Sequence, residues 1–153
     1  MKRFDVAVVG GGLAGSIAAL SFASQGFAVA LVAPEEKRPD SRTTALMDNS
    51  IAHLANLGLW EKIRPFAAAL QTMRIIDGTD RLVRAPTVTF RAAEIDLDAF
   101  GYNIPNARFL DVLAEAIAAE PLIETIAATL DAVTFTPEGA ELLLSDATPI
   151  SAD

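Results

Sequence analysis

Three glycines near the start of the chain have a spacing with known binding chemistry. Gly10, Gly12 and Gly15 satisfy the pattern G-x-G-x-x-G, in which each glycine has its own task. Gly10 permits a tight turn, Gly12 leaves the backbone open to a pyrophosphate, and Gly15 lets a helix pack closely on a sheet. Leu13 and Ala14 lie where the first N–H groups of that helix would face the phosphates. The pattern predicts dinucleotide binding.

The elements that must position this loop can be identified on both sides of it. Residues 4–9 are a β-branched run typical of a strand buried on both faces, and residues 16–25 continue with helical spacing. Gly26 stands where a left-handed residue would end the helix, and residues 27–32 form a second strand-like run. Strand, glycine turn, helix and strand predict a βαβ unit with a right-handed crossover.

An acidic partner for a ribose hydroxyl is expected about twenty residues after the loop, at the end of the second strand. Ala33 occupies that place, and Glu35 and Glu36 follow just beyond Pro34. Glu35 could reach a ribose if the loop curls back, or it could be a solvated loop charge. The missing acid weakens an NAD interpretation more than an FAD one, since FAD is held by contacts along a longer path.

The middle of the chain predicts first helices and then short strands. A helix from Asn49 or Ser50 should end at Gly58, and residues 59–64 should form a second, short helix before Pro65. From Met73 onward the pattern changes to antiparallel strands at residues 73–76, 82–84 and 87–90, with Asp77-Gly78 as a turn. Residues 72–105 are therefore predicted to be a β excursion from an α/β core.

The last third of the chain returns to α/β patterning. Asn106 should open a helix that Pro121 ends, and residues 122–126 are predicted to be a third parallel strand. Residues 130–136 and 140–145 should pair as a hairpin.

Composition excludes several classes of function. With no cysteine and one histidine, His53, the chain has no disulfide, no thiolate nucleophile and no basis for a multi-histidine metal site, so no metal is predicted. A net charge of −8 argues against nucleic-acid binding. No apolar run approaches the ~18 residues that span a bilayer, and residues 1–3 lead straight into a strand. A cytoplasmic α/β protein is expected, with its oligomeric state open.

Four segments together carry a resemblance to a known family. They are residues 5–15, Arg42-Thr43-Thr44-Ala45-Leu46, Leu57-Gly58-Leu59-Trp60 and Phe100-Gly101-Tyr102-Asn103-Ile104-Pro105-Asn106. The chain resembles the N-terminal part of the FAD-dependent aromatic hydroxylases of ubiquinone biosynthesis, the UbiH/UbiF group, which are related to p-hydroxybenzoate hydroxylase. The resemblance implies a Rossmann-like FAD-binding βαβ core, with residues 72–105 as the start of the substrate-domain β excursion.

The resemblance also implies an activity. A complete enzyme of this kind is a monooxygenase that uses FAD, NAD(P)H as a transient reductant, and O₂ to hydroxylate a phenolic ubiquinone precursor. The substrate would be polyprenylated, so the parent protein would work peripherally at the inner membrane. No catalytic acid or base is assigned in this chain. The alternatives are an FAD-dependent dehydrogenase or a non-catalytic nucleotide-binding module.

The resemblance implies cofactor contacts at matching positions. Arg42 would lie near the FAD pyrophosphate or ribitol, with a solvated loop cation as the alternative. Asn106 would approach the phosphate–ribitol chain, or would simply cap its helix. Arg108 is a weaker candidate of the same kind, with a plain surface arginine as the alternative. His53 and Trp60 are expected to have structural roles.

The chain departs from the family pattern in two further respects. The family's later Asp-Gly and Gly-Asp motifs near the flavin are missing, because the only Asp-Gly pair, Asp77-Gly78, has the context of a turn. A truncated FAD-binding domain is therefore expected, which lacks its C-terminal portion and is inactive by itself.

Overall fold

The computed structural model of the protein describes residues 1–35 and 40–153. In chain order its strands are β1 Lys2–Phe4, β2 Val6–Val9, β3 Val29–Val32, β4 Thr43–Leu46, β5 Ala68–Ala69, β6 Thr72–Ile75, β7 Val88–Arg91, β8 Tyr102–Pro105, β9 Ile123–Ile126, β10 Leu130–Thr136, β11 Gly139–Leu144 and β12 Pro149–Ala152. Its helices are α1 Leu13–Ala23, α2 Asp48–Asn56, α3 Trp60–Ile63 and α4 Asn106–Ala119, with 3₁₀ turns at Arg64–Phe66 and Ala92–Ile95.

The predicted βαβ unit is present. β2 and β3 pair in parallel, β9 joins them on the far side of β3, and α1 makes the crossover from β2 to β3. All four residues of β3 are buried because the strand is central, as its unbroken apolar run indicated. Gly26 has the positive φ of +92° expected just beyond α1.

The strand predicted over residues 4–9 is divided between two sheets. Asp5 breaks it, and its carboxylate accepts a hydrogen bond of 2.6 Å from the backbone N–H of Ala28. Before the break, β1 pairs in parallel with β12, in a sheet of order β1-β12-β11-β10. After the break, β2 pairs with β3. The prediction of burial on both faces is also wrong here, because Val6 to Val8 are only half-buried and Val9 is 48% exposed. The apolar run therefore indicated a strand, but neither its sheet nor its burial.

A third sheet, of order β4-β8-β5, was not predicted from the sequence. Its strands have only two to four residues each, and their partners are far away in the chain. The helix after β4 also begins earlier than expected. Met47 is its N-cap residue, because the backbone N–H groups of Ser50 and Ile51 donate to the Met47 carbonyl oxygen.

Where three strand segments were predicted between residues 73 and 90, the structure has two paired strands, β6 and β7. β6 and β7 pair in antiparallel fashion from Thr72↔Arg91 to Ile75↔Val88, and residues 82–84 are not a strand. The carboxylate of Asp77 accepts hydrogen bonds from the backbone N–H groups of Thr79 and Ala85, both 3.0 Å long. These bonds lower the pKa of Asp77, with the Ala85 bond as the largest cause. The Asp-Gly pair therefore opens a longer loop and is not a tight hairpin turn.

The main core lies where α1, α2, α3, α4 and β8 meet. Its largest fully buried side chains are Phe109, Leu113, Leu54, Ile63 and Ile104. Trp60, predicted to be a packing residue, is 9% exposed and makes an edge-to-face contact with Tyr102 at 5.2 Å between ring centroids. α4 packs in this core on α1, the helix that begins directly after the glycine loop.

None of the helices in residues 1–35 and 40–153 is long and apolar enough to cross a membrane.

Candidate functional site

Two of the three motif glycines are required by the protein's own backbone. Gly10 has a φ of +114°, which L side chains rarely adopt, and its N–H donates to the Val32 carbonyl oxygen at 2.8 Å. A Cβ added at Gly15 would lie 1.8 Å from the Gly10 carbonyl oxygen. Any side chain at Gly15 would therefore force the turn away from the helix.

Gly12 is different, because none of the residues in 1–35 and 40–153 requires a glycine there. Its φ of −75° and ψ of −176° suit any residue, and a Cβ at this position would meet no atom of those residues within 4 Å. Gly12 lines the larger of the two cavities described below. The space beside it is therefore suited to a ligand that approaches the backbone closely, which is what a dinucleotide pyrophosphate needs.

The start of α1 offers the charge that such a ligand prefers. Gly12 is the N-cap residue, no side chain caps the helix, and its first turn has no acidic residue. Leu13 is half-buried and Ala14 is exposed at this end. The helix therefore opens with uncapped N–H groups and a partial positive charge, both favourable to phosphate.

A cavity of about 1070 Å³ extends from this loop towards one face of α4. Gly11, Gly12 and Ser16 line it on the loop side, and Leu110 and Asp111 line it on the helix side. The carboxyl ends of β3 and β9 form its floor, at the edge of the parallel sheet where ligands bind in open α/β folds. The residues present thus fit an extended dinucleotide such as FAD.

The structure describes only one of the two acidic residues considered as partners for a ribose hydroxyl. Ala33, Pro34 and Glu35 all line the cavity, with Glu35 exposed. Glu36, the other acid considered, lies outside the described residues.

Asp40 is a further acidic residue on the cavity wall, besides Glu35 and Asp111, and it was not identified from the sequence. Its carboxylate accepts hydrogen bonds from the Arg42 side chain, from Nε at 2.8 Å and from a terminal nitrogen at 2.9 Å. It also accepts the Arg42 backbone N–H at 3.0 Å and the Asn106 side-chain amide at 2.9 Å. The hydrogen bond from the Arg42 side chain has the largest effect and the one from Asn106 the next largest, and together they hold the pKa of Asp40 well below its usual range. The hydrogen bond to Asp40 raises the pKa of Arg42 in turn.

Asn106 is placed at the start of α4 but does not cap the helix with its side chain. It is 6% exposed, and its side-chain oxygen accepts a 2.6 Å hydrogen bond from the Thr44 hydroxyl. Its backbone N–H donates to the Arg42 carbonyl oxygen at 2.9 Å. Asn106 therefore links the loop before β4, β4 itself and the start of α4.

Arg108 lies apart from the glycine loop. Its guanidinium is 5.6 Å from the ring centroid of Phe66 and 3.9 Å from the Asp111 carboxylate. It lines a separate cavity of about 530 Å³, together with Lys62. Of the predicted site residues, the structure therefore gathers the glycine loop and Glu35 around one cavity, with Arg42 and Asn106 joined to it through Asp40.

His53 shares none of these contacts. Its Nε2 atom is 2.7 Å from the Ser21 hydroxyl, which links α2 to α1.

Comparison of the sequence with known families and relatives gives consistent results. A family described as FAD binding domain matches residues 3–141. The chain is 30% identical over 126 residues to 3-demethoxyubiquinol 3-hydroxylase of Escherichia coli K12, covering 78% of the chain and 31% of that relative. It is 28% identical to the uncharacterized protein slr1300 of Synechocystis, covering 99% of the chain and 39% of that relative. The chain thus spans between about a third and two fifths of these relatives' length.

Solved structures share the fold at lower identity. The p-nitrophenol 4-monooxygenase PnpA of Pseudomonas putida DLL-E4 has a TM-score of 0.77 and 21% identity, over 99% of the chain and 40% of PnpA. The flavin-dependent monooxygenase PieE, solved with FAD and substrate, has a TM-score of 0.80 and 18% identity, over 99% of the chain and 29% of PieE.

Proposed function

Because the chain belongs to the FAD binding domain family, we propose that it forms the cofactor-binding part of a flavin-dependent aromatic hydroxylase. The observation that carries this proposal is Gly12. It lies on the wall of a large cavity, in a conformation open to any residue, and no atom in the described part of the chain explains the lack of a side chain. An FAD pyrophosphate provides the explanation.

Of the residues proposed to hold FAD, Gly12 and Glu35 line the cavity, and the others lie in the glycine loop or are connected to the cavity through Asp40. Gly10, Gly12 and Gly15 shape the loop, while the backbone N–H groups of Leu13 and Ala14 bind the pyrophosphate oxygens. Glu35 accepts a hydrogen bond from the adenosine ribose, in place of the acid missing at Ala33. Arg42 adds positive charge near the phosphates, and Asn106 acts through the loop that carries Arg42. We retain Arg108 only as an outer contributor, since it faces the other cavity.

FAD, when bound, supplies the redox chemistry by which NAD(P)H and O₂ hydroxylate a phenolic ring. The chain's own residues bind and orient it. The apolar side of the cavity, which includes Leu31, Leu110 and Ile117, keeps water from that side of the dinucleotide.

For the substrate we propose a phenolic ubiquinone precursor, supported by the identity to the E. coli hydroxylase. Such a precursor carries a polyprenyl tail, and the complete protein would meet it as a peripheral protein at the membrane surface. We propose that residues 72–105, which include the β6–β7 pair, begin the domain that holds this substrate.

The test has two steps in the complete gene product. FAD titration, followed by quenching of flavin fluorescence, should show one site per chain. NAD(P)H oxidation should then depend on a phenolic quinone precursor, and mass spectrometry should find one added oxygen atom in the product. Substrate oxidation without oxygen incorporation would favour the dehydrogenase alternative. FAD binding without any turnover would favour a nucleotide-binding module.

A further inference from the structure

Asp40 is the centre of a hydrogen-bond network that the proposed function leaves unexplained. It accepts four hydrogen bonds, two at each carboxylate oxygen, three of them from Arg42 and one from Asn106. Four is about the full acceptor capacity of a carboxylate. Asp40 therefore has no remaining lone pair to offer a ribose, although it lines the same cavity as Glu35.

Burial within the network is uneven. The Asp40 side chain is 16% exposed, whereas the Arg42 side chain is 82% exposed. Asp40 is thus largely enclosed by the protein, whereas Arg42 is exposed and its guanidinium is hydrogen-bonded to Asp40. Of the five N–H donors of the guanidinium, the bonds to Asp40 use two, which leaves three for an incoming anion.

Asn106 fixes the carboxylate in turn. Its amide has only one favourable orientation, because the Asp40 carboxylate only accepts and must face the nitrogen, which leaves the oxygen to accept from the Thr44 hydroxyl. Side-chain hydrogen bonds therefore join Thr44 to Asn106, Asn106 to Asp40, and Asp40 to Arg42. This chain of contacts joins β4 and α4 to the cavity wall.

Building on the proposed function, we propose that Asp40 is a positioning residue that holds the Arg42 guanidinium beside the dinucleotide cavity for contact with the FAD phosphates. Pairing with Arg42 also reduces the electrostatic repulsion between Asp40 and the pyrophosphate. A lone carboxylate on this wall would repel the pyrophosphate, and the bidentate arginine cancels that charge. Asp40 and Arg42 therefore act as a unit, and their variants should not have additive effects.

The positioning itself is tested without FAD. In the FAD-free protein, the Arg42 Nε–H should give a slowly exchanging ¹⁵N NMR signal. Asp40→Asn should speed its exchange at least tenfold, because the bidentate partner is lost. Asp131→Asn is the matched control, since it makes the same charge change at an exposed position on β10. Unchanged Arg42 exchange in Asp40→Asn would overturn the proposal.

The consequence for the cofactor is tested by FAD titration of the same variants. Asp40→Asn should raise the Kd for FAD about tenfold, and Arg42→Ala about a hundredfold, because Arg42→Ala also leaves Asp40 charged on the wall. Adding Arg42→Ala to Asp40→Asn should raise the Kd for FAD by less than a further tenfold. Asp40→Glu, which keeps a carboxylate, should bind FAD more tightly than Asp40→Asn.

The two failures are distinguishable. If the unaltered protein binds no FAD, the proposed function fails, and the Arg42 exchange measurement still decides the role of Asp40. If the unaltered protein binds FAD but Asp40→Asn binds it equally well, the positioning role is wrong and the proposed function stands. Independent, additive effects of Asp40→Asn and Arg42→Ala would also contradict the proposal.

Discussion

At the scale of single residues, the glycine loop separates structural from ligand-directed glycines. Gly10 and Gly15 are fixed by backbone conformation and close approach, whereas Gly12 faces open space. We therefore expect Gly12→Val to fold normally but to lose FAD, because its side chain would occupy the path of the pyrophosphate. Circular dichroism and flavin retention after gel filtration measure the two properties. Stoichiometric flavin in folded Gly12→Val would show that the cofactor lies elsewhere.

Gly15→Ala should behave in the opposite way. Its added Cβ meets the Gly10 carbonyl oxygen at 1.8 Å, so the helix and the turn must separate. We expect a lower melting temperature even with no cofactor present, because both α1 and the end of β2 are disturbed. Thermal unfolding of the FAD-free protein measures the melting temperature of this variant. A melting temperature equal to that of the unaltered protein would mean that the loop can relax.

Asp40 makes the free energy of unfolding depend on pH. Hydrogen bonds from the Arg42 side chain and from Asn106 lower its pKa in the folded protein, whereas the unfolded chain has an ordinary value of about 3.9. The stabilisation is therefore complete above about pH 4 and is lost as pH falls from there towards the folded-state pKa. Urea unfolding at pH 6 and pH 3 should show that Asp40→Asn is less sensitive to acid than the unaltered protein. Equal sensitivity would place the folded-state pKa near its ordinary value.

The sequence predicted the loop residues but not Asp40, for a physical reason. Gly10, Gly12 and Gly15 are recognisable because their spacing is local and each task belongs to one residue. Asp40 acquires its role only when Asn106, far away in the chain, donates to it. An aspartate two residues before an arginine is by itself an unremarkable loop sequence.

At the scale of elements, two segments that carry the family resemblance turn out to be neighbours. The Arg-Thr-Thr-Ala-Leu and Gly-Tyr-Asn-Ile-Pro-Asn segments supply β4 and β8, which pair in antiparallel fashion from Thr43↔Pro105 to Leu46↔Tyr102. A Cβ at Gly101 would lie 2.2 Å from the Leu46 carbonyl oxygen, so the glycine permits this close approach. The two sequence motifs are therefore one structural feature.

Helix α4 connects this pair to the core, and Phe109 is its largest fully buried side chain. We expect Phe109→Ala to lower the free energy of unfolding by about 3–5 kcal/mol, through lost apolar burial and the cavity left behind. Leu143→Ala on β11 is the control. Because Leu143 is 46% exposed, this substitution should lower the free energy of unfolding much less. Urea unfolding of both variants measures the difference. Similar losses in the two variants would show that the packing of α4 is not central to stability.

Elements were predictable where their signal lies within one run of residues. The βαβ unit, α4, β9 and the β10–β11 hairpin all follow from periodicity and turn residues. The sheet β4-β8-β5 was missed because strands of two to four residues have almost no periodicity. Residues 82–84 were wrongly predicted to be a strand. Leu82 and Val83 are almost fully exposed, so apolar composition alone did not produce a paired strand there.

At the scale of the whole molecule, a bound dinucleotide should link the parts around the cavity. FAD at about 100 times its Kd should stabilise the folded state by about 2.7 kcal/mol. For a domain of this size, that corresponds to a rise in melting temperature of roughly 5–11 °C. Thermal unfolding with and without FAD measures the rise, and Gly12→Val should show none. A rise of the same size in Gly12→Val would mean that FAD binds without the glycine loop.

The parallel pairing of β1 with β12 matters for how the protein is made. Lys2 pairs with Ile150 and Phe4 with Ala152, so β1 leaves the ribosome well before its partner strand β12. At about 5–20 residues per second, synthesis of the residues between them takes roughly 7–30 s. During that time β1 has no partner, whereas β2, α1 and β3 can already associate. The parallel βαβ core is therefore expected to form during translation, with the mixed sheet completed around it afterwards.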